Sequence, residues 1–225
     1  MNTKFTILMI LLSFIAFGAE ANLRSAKRKN PSYERYAWNG KDDFQETAEK
    51  LVKLYELHKI TIKDTSNWCP RYNSFNKEMK ILFHSAFLGA VARAENYQMK
   101  PELGFKESFS HNRCRLGNGS ILPAGKVRSR GLLQVSNCSC QGYKKFNRLG
   151  KSMVYSSSSL HKVEPNLNCG AAIMSKWLRK DSVLAGAKGG NLLRGAGRYW
   201  STLRSLNKRK EVWKTLRKSM PNCSK

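Results

Sequence analysis

The stretch from Met79 to Ala94 (MKILFHSAFLGAVARA) constrains the fold more than any other part of the chain. Apolar or small residues fill nearly every position, so no helical face is left for water. A helix of this kind is stable only when other elements surround it. The pattern predicts a helix over residues 76–96, buried in the middle of the fold. Candidate neighbours are present. Phe44, Ala48, Leu51, Val52 and Tyr55 recur at helical spacing behind Asp42-Asp43, an N-cap candidate, and predict a helix over 44–59. Ile173 with Trp177 marks a helix over 168–179. Leu192, Ala196, Tyr199, Leu203 and Leu206 mark another over 192–206, and a short last helix covers 211–218. Between the central helix and the third, residues 100–130 contain Pro101, Gly104 and Pro123 and read as a long irregular connection, the kind of loop that is usually functional or mobile. No run of any length carries a strand period, and no repeat is visible. The expected fold class is mainly α: a single domain with a central buried helix and long loops. With 225 residues, 41% of them hydrophobic, the chain can fill one sizeable core.

The first residues are set apart from that domain. Lys4 precedes an almost wholly apolar run from Phe5 to Phe17, and Ala19-Glu20-Ala21 supplies a small-x-small cleavage pattern. Residues 1–21 are therefore expected to be a signal peptide, because the apolar run is shorter than the ~20 residues a membrane span requires. The mature chain is expected to be exported, to a periplasm or the outside, without a membrane span. Residues 22–43 read as a basic, loosely ordered arm and 44–225 as the folded domain. Export changes the meaning of the cysteines. Cys69, Cys114, Cys138, Cys140, Cys169 and Cys223 form an even set in an oxidising compartment, enough for up to three disulfides. Their pairing stays open, although Cys138-Ser139-Cys140 is too tight for an easy mutual bridge, so each is expected to reach elsewhere. Paired C-x-x-C spacing is lacking and His58, His84, His111 and His161 are scattered, so neither a metal nor a cofactor is expected.

Only 15 Asp and Glu stand against 41 Lys and Arg, for a net charge of +26. Scarce carboxylates make the search for acid–base chemistry short. Glu95 ends the most hydrophobic helix, and stepping back by helical turns reaches Val91, Leu88 and His84. Its carboxyl thus shares a stripe with apolar side chains. Withdrawal from water disfavours the charged form and raises the pKa, which fits a general acid. Position alone equally allows a surface Glu at a fraying helix end.

Four blocks taken in order settle more. Phe87-Leu-Gly-Ala-Val-Ala-Arg-Ala-Glu95-Asn96, then Gly131-Leu-Leu-Gln134-Val135, then Asn166-Leu-Asn-Cys-Gly170, then Ala196-Gly-Arg-Tyr199-Trp200 together resemble the soluble lytic transglycosylase domain family, which shares its lysozyme-like fold with goose-type lysozymes. The resemblance spans roughly residues 75–210. It implies that Glu95 is the catalytic acid/base, that Gly131, Leu133 and Gln134 line a glycan cleft, and that Tyr199 sits near the Glu95 carboxyl and orients it. The match has departures: Asn96 stands where the family has Ser, Leu133 where it has Met, and Trp200 where Asn follows the Tyr. Glu107, in Glu107-Ser108-Phe109, is the rival catalytic residue, but Pro101 and Gly104 interrupt any helix leading into it.

The resemblance implies peptidoglycan glycan strands as substrate. Most glycosidases need two carboxylates. No Asp or Glu occurs between Ser108 and Arg130, which favours the family's single-carboxylate route to a 1,6-anhydro-muramic product. A hydrolytic, lysozyme-like outcome requires Glu102 or Glu107 to fold back into the cleft. The surplus of cations suits anionic envelope polymers as additional partners. No nucleic-acid motif with defined spacing is present, so a specific nucleic-acid partner is not expected, and the protein is expected to act as a monomer. A non-catalytic cationic binder of cell-wall polymers is the alternative from a different class. Trp68, Trp177 and Trp213 are assigned to the core rather than to sugar platforms.

Overall fold

The computed structural model describes residues 36–106, 114–115, 121–122, 127–150, 156, 158–186 and 191–223, all within the compact unit Glu34–Lys225. The signal peptide expected over 1–21, the first part of the arm, and Glu107 lie outside the described residues. In chain order the described elements are α1 (Asp42–Leu54), α2 (Thr65–Trp68), α3 (Lys77–Glu95), β1 (Gly104–Lys106), β2 (Cys114–Arg115), β3 (Ile121–Leu122), β4 (Arg128–Arg130), α4 (Asn137–Gly142), α5 (Val163–Asp181) and α6 (Leu206–Ser219), with short 3-10 turns between several of them. The unit is mainly helical and cross-linked by disulfides.

Helix α3 is the centre expected from its sequence. Asn76 caps it, its Oδ1 accepting from Met79 N at 2.9 Å, and from Phe83 to Ala92 every residue is buried. It packs chiefly against α6 and α1. Burying an unbroken apolar run of this length supplies much of the hydrophobic driving force for the fold. Helix α5 covers α1 in turn. It begins at Val163 rather than at residue 168, because Pro165 falls in the first turn, where its missing N–H costs nothing.

Several expectations are corrected. The arm does not run to residue 43: Ala37 and Trp38 are 0% exposed, and the Trp38 indole donates to Ser85 Oγ on α3 at 3.3 Å. Asp42 and Asp43 lie inside the first turn of α1 instead of capping it, where their charge still complements the helix dipole. That helix stops at Leu54; Glu56, at φ +54°, separates it from a 3-10 turn over Leu57–Lys59. The helix expected over 192–206 is replaced by two 3-10 turns, Gly195–Arg198 and Ser201–Leu203. Gly195 has φ +54°, and its N–H is held by Asp181 Oδ2 at 2.7 Å, so polar anchoring wins over apolar periodicity here. The last helix is longer than expected, spanning Leu206–Ser219. Strands are also present: β1 pairs antiparallel with β4 (Gly104 opposite Arg130), and β2 with β3 (Cys114 opposite Leu122), which gives the 100–130 connection some regular structure. These strands are two or three residues long, too short to show a period in the sequence.

Disulfides join Cys69 to Cys223 and Cys140 to Cys169, and Cys138 is also disulfide-bonded, so Cys138 and Cys140 do reach elsewhere as their spacing required. The first bridge closes a separation of 154 residues and ties the segment after α2 to the turn following α6. The second pins α4, and hence the turn preceding it, to α5.

Candidate active site

Glu95 is the last residue of α3 and is half-buried where the helix emerges from the core. Burial pushes its carboxyl above the usual carboxylate range. Opposing this, Thr202 Oγ1 donates to Glu95 Oε1 at 2.7 Å, and the charges of Lys208 and Arg204 favour the ionised form. Desolvation favours the neutral acid, while Thr202, Lys208 and Arg204 favour its anion. Such a carboxyl can give up a proton and take one back.

The next residue fixes the surroundings. Asn96 is 1% exposed, and its Nδ2 donates to Lys100 O at 2.6 Å and to Gly131 O at 3.2 Å. The end of α3 is thereby tied to the turn at residues 131–134. That turn is closed by a pair of bonds, Arg130 N to Val135 O at 3.0 Å and Val135 N to Arg130 O at 3.1 Å. Gly131 has φ +71°, and a Cβ there would stand 2.2 Å from Asn166 Nδ2 and 2.4 Å from Leu160 O, so both conformation and space demand glycine. Asn166 acts as a three-way clamp: its Nδ2 donates to Arg130 O at 2.7 Å and Leu160 O at 3.0 Å, and its Oδ1 accepts from Leu133 N at 2.9 Å. The Trp200 indole donates to Leu133 O at 3.0 Å from the other side.

The residues expected at the site fall into distinct roles. Glu95 and Gly131 come together, linked through Asn96. Gln134 is strained at φ +47°; its Nε2 donates back to Gly131 O at 2.6 Å, and its Oε1 is buried with no protein partner. Leu133, expected to face substrate, is instead 0% exposed and lies against Gly170, where an added Cβ would meet Leu133 Cδ1 at 2.1 Å. It is part of the core and shapes the turn from behind. Tyr199 is half-buried, with its ring 5.1 Å from Trp200 and 6.4 Å from Tyr143. The hydroxyl bonded to the Glu95 carboxyl is that of Thr202, three residues further on.

Thr202, Asn166 and Trp200 are the participants that the sequence did not assign. Asn166 and Trp200 lie inside the blocks that carry the family resemblance, so a signal existed for them. Trp200, a departure from the family pattern, holds the turn in place, and so does the departure at Asn96. Thr202 sits in an irregular segment with nothing to single it out. The other buried or paired carboxylates serve the framework. Asp64 accepts from Leu184 N at 2.6 Å and the Trp68 indole at 3.2 Å. Asp181 is bidentate with Arg198, and Glu56 pairs with Lys59 and Arg148. Among the described residues no three His, Cys, Asp or Glu side chains gather as metal ligands, and no helix is long and apolar enough to cross a membrane.

No protein-family model matches the chain, and no curated protein matches it. Solved structures do. The wild-type form 2 of Bd0314 DslA is 26% identical with a TM-score of 0.64, over 80% of this chain and 93% of that one. One glutamate-to-glutamine mutant of DslA gives the same figures. A second such mutant, at another glutamate, is 25% identical with a TM-score of 0.61, over 79% of this chain and 92% of that one. The chain is thus similar over most of its length to DslA.

Proposed function

We propose that this is an exported enzyme of lysozyme-like fold that cleaves the β-1,4 bond between N-acetylmuramic acid and N-acetylglucosamine in peptidoglycan. The observation that carries the reading is the setting of Glu95: a carboxyl raised by burial, at the end of the central helix, coupled through Asn96 to the 131–134 turn and hydrogen-bonded by Thr202. Glu95 protonates the glycosidic oxygen as the bond to the anomeric carbon breaks. The substrate's own acetamide steadies the cationic centre. The carboxylate left behind is stabilised by Thr202, Arg204 and Lys208, and then takes the proton of the muramic 6-hydroxyl as that oxygen closes a 1,6-anhydro ring. One carboxyl suffices for this sequence, which agrees with the structural duties of Asp64, Asp181 and Glu56.

Digestion of purified sacculi with product identification by mass spectrometry tests the reading. Anhydro-muramic ends are expected. Reducing muramic ends identify a hydrolase on the same fold instead, and no release by the intact chain overturns the enzymatic reading in favour of a cationic wall-polymer binder.

A further inference from the structure

A strip of rings leads away from the candidate site. Tyr199 touches Trp200, whose indole holds the 131–134 turn. From Tyr199 the strip passes to Tyr143 at 6.4 Å and on to Phe146 at 6.3 Å. Trp177 joins beside Tyr143, with its Nε1 donating to the Tyr143 hydroxyl at 2.8 Å. All four of the outer rings, Tyr143, Phe146, Trp177 and Tyr199, are half-buried and so retain some accessible surface.

Ammonium groups crowd over them. Lys176 Nζ lies 4.4 Å from the Trp177 ring centre, 4.8 Å from that of Tyr143 and 5.5 Å from that of Phe146. Lys145 is 5.4 Å from Phe146, and Lys180 5.4 Å from Trp177. Arg198 also stacks on Trp177, but its charge is offset by Asp181. Among the described residues none of the three lysines forms an ion pair. Burial, reinforced by the charges of Lys145 and Lys180, holds the Lys176 ammonium below its ordinary pKa, the sign of a cation short of compensation. The ring faces offset part of that cost, and an anion would offset the rest.

We infer that this strip binds a carboxylate-bearing glycan, the ring faces taking sugar and Lys145, Lys176 and Lys180 taking carboxylates. That its natural source is peptidoglycan with acidic stem peptides rests on the function proposed above; the chemistry of the strip does not. Affinity electrophoresis of the intact chain through two cellulose derivatives tests it, carboxymethylcellulose carrying carboxylates and hydroxyethylcellulose none. Replacing the three lysines together (K145Q, K176Q, K180Q) is expected to weaken retention by carboxymethylcellulose roughly tenfold or more. Retention by hydroxyethylcellulose should be unchanged. A control with the same charge change on α3 and α6, which carry none of the strip's residues (K77Q, K214Q, K218Q), is expected to weaken it less than about twofold, as screened charges outside the strip should. Equal losses in the two triple variants, or none in the first, overturn the inference. If the effect on carboxymethylcellulose is found while the wild type releases nothing from sacculi, the strip stands and the peptidoglycan reading falls.

Discussion

His84 and Glu95 stand on the same face of α3, about three turns apart, and in both withdrawal from water disfavours the charged form, yet only one is placed to do chemistry. His84 is 0% exposed, with its Nε2 bonded to the Tyr72 hydroxyl at 2.9 Å and with Phe83 and Tyr72 edge-on around it. Burial first, then the charges of His58 and Lys80, push its pKa down to about 3. Nothing in this setting can carry a proton out. Glu95 is desolvated too, but it lies where the helix meets the surface, with Thr202, Arg204 and Lys208 arranged to favour its anion. Desolvation makes a titratable group unusual; access and a stabiliser for the charged form make it useful.

The sharpest way to break this contrast is to exchange the effects of the two residues. Glu95→Gln is expected to lower release from sacculi by about 10³-fold or more, the order of a lost general acid. The variant should be at least as stable as the wild type at neutral pH, since a carboxyl with a raised folded pKa is a liability above that pKa. His84→Ala is expected to do the reverse. It leaves a cavity and an unpaired Tyr72 hydroxyl, costing roughly 2–4 kcal/mol in denaturant unfolding, while activity per folded molecule is unchanged. Loss of activity without loss of stability in His84→Ala would remove the distinction.

The two groups also leave opposite marks on the pH dependence of stability. His84 titrates near 6.5 when unfolded and near 3 when folded, so between these values the unfolded chain binds the extra proton. Stability is therefore expected to fall as pH drops from about 6.5 towards 3, a fall that denaturant titration should find shallower in His84→Ala. The smallest effect concerns the stabiliser. Thr202→Val removes the bond that favours the Glu95 anion, and activity is expected to drop roughly tenfold. The loss of activity at high pH should move to higher pH, because the carboxyl then holds its proton more tightly. An unchanged pH profile would show that Thr202 serves packing alone.

Helix α3 was legible because apolar residues all round it admit one placement, and because Asn76 and Asn96 bracket it. The position of Glu95 followed from the same helix. What the sequence hid was set by contacts between distant segments. Trp38 carries no periodic signal, and its burial depends on Ser85 forty-seven residues away. The 192–206 segment has helical period but is pulled into turns by Asp181. Thr202 matters only because those turns bring its hydroxyl to the end of α3. Leu133 shows the opposite error: a residue in a cleft-lining motif whose own side chain belongs to the core.

The central claim is that residue 95 holds a carboxyl of raised pKa at a sugar-binding groove. Titration of the Glu side-chain carboxyls by carbon NMR, with Glu95→Gln to assign the resonance and a peptidoglycan fragment then added, addresses both halves at once. The account predicts a Glu95 resonance that titrates above the ordinary carboxylate range and shifts when the fragment binds. A resonance titrating in the ordinary range and indifferent to the fragment would contradict it.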